Sequence, residues 1–381
     1  MKTLHVFRAM YLPNSAVTNR LLGQLKRFSE RGIPVEMHFM LPNPNRDKCD
    51  IEIPGVTFRY WWDNQSVSNK YLRHLLSIYN AWKCRMSLNK GDSVLLLEMA
   101  NYFLIFTIGR KFHVYYETTE HPLIGKLSYL KKKWRTWNAK YFSKKFDHIF
   151  VISTHLKKYY TDNGVPSEKV TLINMTVDAS RFENLQKSST REKYIAYCGT
   201  VSNNKDGVNL LIMSFAQVLK RYPDYKLYII GATPYVNDES GNLKLIRDLG
   251  VEGSVVFTGV VKANEMPQLL YDAEILALER PYTLQGQYGF PTKLGEYLLT
   301  GNPVVVTSVG DMPLFLEDGV SAYIAPPDNP EAFAEKLIYA IENVDKSKCV
   351  GERGKSIAMR FFNYQIEGDK MVDIIQDTIQ Q

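Results

Sequence analysis

Short apolar runs alternate with longer helical patterns along the chain, and this alternation constrains the fold more than any other feature. In the first half the runs are LHVF, PVEMHFML, SVLLLE, HVYYE and HIFVIS, with helix-like stretches between them. In the second half YIAYCG, KLYIIG, VVFTG, EILALE and PVVVTS repeat the plan. Strands that alternate with helices form parallel sheets covered by helices. The sequence therefore predicts an α/β protein with two Rossmann-like, doubly wound parallel-sheet domains facing a cleft.

A polar stretch without apolar periodicity, ENLQKSSTREK at 183–193, predicts a linker between the two halves. The predicted domains are then 1–182 and 194–362, two ordinary-sized domains for a chain of 381 residues. The sequence does not decide on which domain a last predicted helix, 363–381, packs. One alternative is that it crosses back to the first domain. Ligands of open α/β sheets bind at the carboxyl ends of the strands, so the loops there are the candidates for function.

The charge is divided unevenly between the halves. Residues 1–182 carry 28 Lys and Arg against 14 Asp and Glu, which leaves 19 against 26 from the totals of 47 and 40. A first half so basic predicts an anionic partner, and nucleic acid and anionic lipid are the two candidates. No apolar run is long enough to span a membrane, and the N-terminus resembles a first strand rather than a signal peptide. The four cysteines lie far apart, which favours a reducing cytoplasm.

The segment YCGTVSNNKDGVNLLIMSF, 197–215, predicts a strand, a polar loop after Gly199 and Thr200, and a helix that begins near Asp206. Backbone N–H groups at such a helix start favour a phosphate, and Lys205 adds a point charge. The alternative is an ordinary loop with a solvated lysine.

The segment QYGFPTKLGEYLLTGNPVV, 287–305, predicts a helix with Pro291 in its first turn. Lys293 and Glu296 are three residues apart and share one face of that helix. A lysine near a helix start suits a diphosphate, and a carboxylate one turn later suits a ribose diol, because it accepts both hydroxyl protons. The alternative is a surface ion pair between the two side chains.

Several segments together resemble the retaining glycosyltransferases of family 4, enzymes of GT-B fold that use nucleotide-sugar donors. GFPTKLGEYLLTGNPVVVTSVGDMPLFLEDGVSAYIAPPDNPEAFAEKL, 289–337, looks like the donor-site signature of that family. Residues 151–182, 197–215 and 255–279 are similar to neighbouring units of the same family. The resemblance covers most of 150–345 and reduces to the strand–helix plan in the first 110 residues.

The resemblance implies a donor site in the second domain. Glu296 matches the family's ribose-binding glutamate, Lys205 its phosphate-binding lysine, and Val260 and Val261 the backbone that contacts the nucleobase. Two positions depart from the family, because Thr200 replaces an arginine and Tyr288 replaces the first glutamate, which commonly lies against the donor sugar. The donor-binding set is completed by a loop and its neighbours: Gly199, Arg280, Gly289, Phe290, Pro291, Thr292 and Lys293.

The loss of the family's arginine raises the question of which residues supply positive charge near the diphosphate. Arg280 and Lys293 are inferred to replace the missing arginine, although Arg280 has the alternative of pairing with Glu279 or solvent. Lys205 and Lys293 are accordingly predicted to stabilise the leaving diphosphate and to act in catalysis.

The first domain is expected to hold the acceptor. In VYYETTEHPLIGK, His121 best matches the family's histidine that contacts the donor sugar from the acceptor side, and it is the third predicted catalytic residue. Glu117 and Glu120 are close enough in sequence to bind acceptor hydroxyls or to orient the imidazole. Asn14 and Ser15 follow the first strand, where the family has a glycine-rich loop at the cleft.

The segment LSYLKKKWRTWNAKYFSKKF, 127–146, predicts a helix with an aromatic stripe at Trp134, Trp137 and Tyr141. One interpretation is that the stripe packs in a core while the cations are solvated, and the other is that the helix lies on anionic lipid. Both can be true, since a buried stripe still leaves the cations free to face a bilayer. The predicted membrane-facing cations are Lys131, Lys132, Lys133, Arg135, Lys140, Lys144 and Lys145.

The expectation is therefore a retaining glycosyltransferase that moves a sugar from a nucleotide diphosphate sugar to a glycan or a lipid-linked glycan, in surface polysaccharide or glycoconjugate synthesis. No cofactor and no metal are expected, since no DxD-like motif occurs in the cleft loops. Cytoplasmic, peripheral membrane attachment is expected, and nucleic acid is not, since the basic region carries no motif for it. The alternatives are a non-catalytic GT-B partner subunit, which Thr200 and Tyr288 favour, and a sugar-nucleotide 2-epimerase.

Overall fold

The computed structural model describes residues 2–13, 15–43, 45–62, 70–98, 102–125, 127–189, 192–231 and 241–380. The chain divides into two compact units. The first comprises Met1–Asn174 with Tyr364–Gln381, and the second comprises Met175–Asn363. The division after Asn174 precedes the predicted linker 183–193, which lies within the second unit. In the described part of the chain no helix combines the length and the apolarity needed to cross a membrane.

The first unit is built on a seven-stranded sheet of order β3-β2-β1-β4-β5-β6-β7, parallel throughout. Its strands are β1 (Leu4–Arg8), β2 (Val35–Phe39), β3 (Val56–Tyr60), β4 (Ser93–Leu97), β5 (His113–Thr118), β6 (His148–Val151) and β7 (Val170–Leu172). Its helices are α1 (Ala16–Glu30), α2 (Lys70–Ser87), α3 (Phe103–Thr107), α4 (Tyr129–Tyr141), α5 (Thr154–Asp162) and, from the end of the chain, α15 (Tyr364–Gln380).

The last helix, whose placement the sequence leaves open, completes the core of the first unit. Met371, Val372 and Ile375 are fully buried in the same apolar cluster as the inner face of α1. Arg27 of α1 also donates to Asp369 of α15 at 2.7 Å. The chain thus leaves the first unit after Asn174 and returns to it at Tyr364.

The second unit has a six-stranded parallel sheet of order β10-β9-β8-β11-β12-β13. Its strands are β8 (Tyr194–Cys198), β9 (Lys226–Ile230), β10 (Val255–Gly259), β11 (Ile275–Leu278), β12 (Val304–Thr307) and β13 (Tyr323–Ala325). Its helices are α6 (Asn203–Asp206), α7 (Val208–Arg221), α8 (Asn242–Asp248), α9 (Met266–Asp272), α10 (Leu284–Tyr288), α11 (Lys293–Leu299), α12 (Met312–Phe315), α13 (Pro330–Glu342) and α14 (Val344–Phe361). The predicted pair of doubly wound parallel sheets is confirmed.

Candidate functional site

The order of strands in the second unit reverses between β8 and β11. Successive strands run outward from β8 to β10 on one side and from β11 to β13 on the other. At such a switch point the loops after the two central strands separate and leave a crevice for a ligand. The segment after β8 begins with Gly199, and the segment after β11 leads through α10 to α11. Both predicted donor segments therefore lie at the position where an α/β sheet binds its ligand.

Lys293, the first residue of α11, reaches the end of β8. Its Nζ lies 2.7 Å from Asp206 Oδ2 and 2.9 Å from the Tyr197 hydroxyl. Gly199 is what admits this side chain, because a Cβ at that position would overlap Lys293 Nζ and the backbone φ there is +144°. The two predicted segments thus meet through one lysine.

Asp206 is almost fully buried beneath that lysine. Burial raises the pKa of the Asp206 carboxyl, but Lys293 and Arg280 lower it by more, so the pKa falls below its usual value. Burial also lowers the pKa of Lys293, which Asp206 partly offsets. Sequence reasoning identified Asp206 only as a helix start and did not single out Tyr197. The neighbouring lysine that explains both residues is more than 85 positions away.

Glu296, one turn further along α11, is buried and paired with Arg181. The Arg181 guanidinium also donates to the Ala263 carbonyl at 3.1 Å. The alternative of a surface ion pair between Lys293 and Glu296 is wrong, because each side chain has a different partner. Arg181 lies 115 positions from Glu296, and no motif in the sequence marks it.

Arg280 has a different place from the predicted one. It is 1% exposed, and it donates to the carbonyl oxygens of Lys205 and Gln285, both at 3.2 Å. These bonds tie the loop after β8 to α10. The expectation that Arg280 supplies charge directly at a diphosphate is therefore corrected to an indirect role, and the alternative of pairing with Glu279 or solvent does not describe it either.

Glu279, the residue before Arg280, is fully buried. The Ser214 hydroxyl lies 2.6 Å from Glu279 Oε2 and 3.0 Å from the Pro330 carbonyl oxygen. Burial raises the pKa of Glu279 to about 8. A hydroxyl has one proton to donate, so with Ser214 bonded to the Pro330 carbonyl the carboxyl itself supplies the proton of the shorter contact.

The remaining predicted donor residues surround this cluster. Thr292 is the N-cap of α11, so Pro291 precedes the helix instead of occupying its first turn. Tyr288 ends α10 and is partly buried, and Gly289 and Phe290 are buried. Val260 follows β10 and is 72% exposed, with Val261 partly buried beside it. The carbonyl of Thr200 lies 2.8 Å from the Tyr197 hydroxyl, and Lys205 is partly buried in α6.

In the first unit, His121 follows β5 and is buried. Its Nδ1 accepts from the Leu123 backbone N–H at 3.2 Å, which leaves Nε2 to carry the proton of the neutral ring. Burial lowers the pKa of His121 to about 4. The side chain lines a cavity of about 200 Å³ together with Glu98, Glu120, Trp134 and Arg135.

Glu117, predicted beside His121, points elsewhere. It is buried and receives hydrogen bonds from Arg20 at 2.7 Å and from Gln24 at 2.9 Å. Both of these bonds are to Oε1, and Gln24 also donates to Oε2 at 3.0 Å. Both carboxylate oxygens are thus occupied, so the expectation that Glu117 binds an acceptor is corrected to a structural role. Ser15 caps α1 by accepting from the Thr18 N–H. Asn14 lies outside the described residues.

The cations of the 127–146 segment are all exposed. The aromatic stripe is exposed as well, with Trp134, Trp137 and Tyr141 between 41% and 51% accessible. The alternative in which this stripe packs in a core is therefore wrong. Asn138 and Ala139 are the buried residues of α4.

One group among the described residues has the proximity of metal ligands, namely His5, His38 and Cys84 in the first unit. The Trp61 indole N–H, which can only donate, lies 3.1 Å from His38 Nδ1. The proton of His38 is then on Nε2, which lies 3.1 Å from His5 Nδ1. This hydrogen-bonded chain uses the nitrogens that a metal would need, so it accounts for the cluster without an ion.

Comparison with known proteins agrees with this geometry. Residues 192–343 match the family model of the Glycosyl transferases group 1. The chain is 24% identical over 215 residues, 56% of its length, to the "Putative colanic acid biosynthesis glycosyltransferase WcaL" of Escherichia coli. It is 22% identical over 241 residues, 60% of its length, to a "GDP-mannose-dependent alpha-(1-6)-phosphatidylinositol monomannoside mannosyltransferase" of Mycolicibacterium smegmatis. The matches span 52% and 62% of these relatives, so the chain covers little more than half of their length.

Solved structures extend the likeness over the whole fold. The crystal structure of Anabaena Alr3699/HepE in complex with UDP and glucose superposes with a TM-score of 0.77 at 15% identity. The superposition covers 99% of this chain and 100% of the HepE chain. The resemblance to GT-B glycosyltransferases is thereby confirmed. The chain therefore has the GT-B fold, and residues 192–343 are the part of it that matches a glycosyltransferase family model.

Proposed function

We propose that this protein is a retaining glycosyltransferase that takes its sugar from a nucleotide diphosphate sugar. The observation that carries the proposal is the pair formed by Lys293 and Glu296 at the switch point of the second unit. One side chain presents a cation beside the end of β8, and the other presents a carboxylate one turn along the same helix. The group 1 family match and the UDP found with HepE support the same donor class.

The chemical role of the cations follows from the charge that develops in the reaction. When the anomeric bond breaks, negative charge appears on the leaving diphosphate. Lys293 is fixed by Asp206 and Tyr197 before the donor binds, so little reorganisation is needed to stabilise that charge. With Lys205 nearby in α6, the protein supplies cations of its own, and we propose that the reaction needs neither metal nor cofactor. Retention then follows from attack on the face that the diphosphate leaves, with the diphosphate accepting the proton of the acceptor.

The acceptor is proposed to bind the first unit. His121 is neutral above pH 4 and lines the cavity of the first unit, and we propose that it contacts a sugar of the acceptor. Trp134 and the carboxylate of Glu120 line the same cavity, a combination of an apolar face and an acceptor that suits a glycan. Since one relative is named for a phosphatidylinositol mannoside acceptor and another for colanic acid biosynthesis, we propose a glycan or lipid-linked glycan of the cell surface.

Location follows from the exposed cations of α4 and the residues after it. We propose that they hold the protein at the inner, anionic face of the cell membrane, each cation contributing about 1 kcal/mol near the surface.

The donor proposal is tested through Glu296. Glu296→Gln keeps the shape of the side chain and a hydrogen-bond acceptor for Arg181 but removes the charge that accepts both ribose hydroxyl protons. We expect calorimetry to show affinity for the preferred nucleoside diphosphate, found by a thermal-shift screen, falling about tenfold or more. Glu335→Gln on the exposed side of α13 is the matched control and should bind as the unmodified protein does.

Unchanged nucleotide affinity in Glu296→Gln would remove this residue from the site. A protein that binds no nucleoside diphosphate and hydrolyses no nucleotide sugar would instead favour the non-catalytic partner subunit.

A further inference from the structure

Helices α2, α3 and α4 cover one face of the first unit's sheet. The connections β3→β4, β4→β5 and β5→β6 all advance across the sheet in one direction, whereas β1→β2 advances in the other. Right-handed crossovers therefore place α2, α3 and α4 on the face opposite α1. Phe106 of α3 packs against Phe7 on that face, while Leu4 and Val6 join the core beneath α1 and α15.

Helix α2 is amphipathic, but its large apolar side chains face outward. The residues that it buries against the unit are small or polar, namely Ser77, Asn80, Ala81 and Cys84. The residues that it exposes are large and apolar: Tyr71, Leu72, Leu75, Ile78, Tyr79, Trp82 and Met86. Leu75 is 63% and Met86 67% accessible. A helix of a globular protein normally turns such a stripe toward the core, so this stripe is directed at a partner outside the described chain.

Helix α4 and the end of α3 continue the same surface. Helix α4 buries only Asn138 and Ala139, and it exposes Leu130 and its aromatic stripe. Leu104 and Ile108 are exposed at α3. We call the exposed apolar side chains of α2, α3 and α4 the apolar layer. Tryptophan and tyrosine are frequent in it, as they are at membrane–water interfaces.

The charge of these helices selects the partner. The sequences of α2, α3 and α4 contain no Asp or Glu, and basic residues such as Arg73, Lys83 and Lys132 border the apolar layer. A symmetric dimer through this face would bring the same cations of two copies together, and like charges oppose that contact. An anionic bilayer offers opposite charge at its surface and an apolar interior below it.

We propose that the apolar layer inserts into the headgroup region of an anionic bilayer, with α2 as its main inserting helix. The proposal rests on the proposed function only in taking a membrane as the partner, and it adds a second, hydrophobic mode of attachment to the electrostatic one. Cations attract the protein to the surface, and the side chains of α2 then hold it there.

The test compares two exposed apolar positions on opposite faces of the unit. Leu75→Gln with Trp82→Gln removes apolar area from α2 without changing its charge, and Ile366→Gln on α15 is the control, since Ile366 is 45% exposed. Binding is measured by co-flotation with vesicles of phosphatidylglycerol and phosphatidylcholine at several salt concentrations. We expect the α2 variant to bind at least tenfold more weakly, because about one apolar side chain or more is no longer buried in the bilayer. The dependence of its binding on salt concentration should not change, and the control should bind as the unmodified protein does. Brominated acyl chains should quench the unmodified protein's fluorescence more than that of Trp82→Phe.

Equal vesicle binding by the α2 variant and the control would overturn the proposal. So would quenching that does not depend on Trp82, since α2 would then not be the main inserting helix. If the unmodified protein sediments as a dimer that only the α2 variant dissociates, and does not bind vesicles, the apolar layer is a self-interface. Nucleoside diphosphate binding by the same preparations separates these outcomes from failure of the proposed enzyme activity.

Discussion

The two units depart from the usual distribution of side chains in opposite ways. The second unit buries charge: Asp206, Arg280 and Lys293 are clustered at the carboxyl ends of its central strands. The first unit exposes apolar surface along α2 and α4. Buried charge and exposed apolar area both cost free energy in water. Each departure agrees with the partner proposed for that unit, an anion for the second and a lipid surface for the first.

The largest expected effect comes from removing the buried cation of the second unit. Lys293→Met deletes the charge beside Asp206 and leaves that carboxyl with only the more distant Arg280, 3.9 Å away. We expect affinity for a nucleoside diphosphate to fall about 100-fold and the protein to lose stability, because a charged partner of a buried pair is removed. Calorimetry and thermal unfolding measure the two losses, and vesicle binding should not change.

A double variant separates these two effects. Lys293→Met with Asp206→Asn removes the carboxylate as well and should recover much of the stability without recovering affinity. Recovery of affinity in the double variant would show that Lys293 serves the fold rather than the ligand, and the comparison between the units would then fail.

A smaller effect is expected at Glu279, the buried carboxyl next to Arg280. Its pKa is raised to about 8 in the folded protein, so between pH 4.5 and 8 the unfolded chain releases a proton that the folded chain keeps. Stability is therefore lost as pH rises through this window. Glu279→Gln mimics the protonated form, and we expect it to raise the free energy of unfolding by about 4 kcal/mol at pH 8 and to have little effect at pH 4.5. Urea unfolding at the two pH values measures this difference, and an equal effect at both would show that Glu279 is not protonated.

The smallest effect is expected at His38 of the first unit. Burial lowers its pKa to about 3, whereas the unfolded chain takes up the proton near pH 6.5. Stability contributed by the neutral ring is thus complete above pH 6.5 and falls as pH decreases toward 3. His38→Gln should reduce the loss of unfolding free energy between pH 6.5 and 4.5 by about 2 kcal/mol. The exposed His74→Gln is its control, and identical slopes in the two variants would contradict the buried, neutral histidine.

The fold and part of the site could be predicted because they depend on local pattern. Apolar runs that alternate with helical periods identify parallel α/β units, and the spacing of Lys293 and Glu296 places them on one short helix. Their partners could not be found in this way. Asp206 and Arg181 reach these side chains from 87 and 115 positions away, and pairs so remote leave no local periodicity.

Helices α2 and α4 show a second limit of sequence patterns. A period of three and four residues reveals an apolar stripe in α4, but it does not say whether the stripe is turned inward or outward. That depends on what the opposite face contributes to packing. In α2 the inward face contains Ser77, Asn80 and Ala81, whose small size is compatible with close approach to the sheet, and the large side chains remain outside.

The return of α15 to the first unit has a consequence for synthesis. Met371, Val372 and Ile375 belong to the core under α1, yet they are synthesised after every residue of the second unit. Residues 175–363 can complete their own sheet while that core still lacks one helix. The second unit can therefore fold first, and the apolar layer belongs to a unit whose core closes only after α15 has been synthesised.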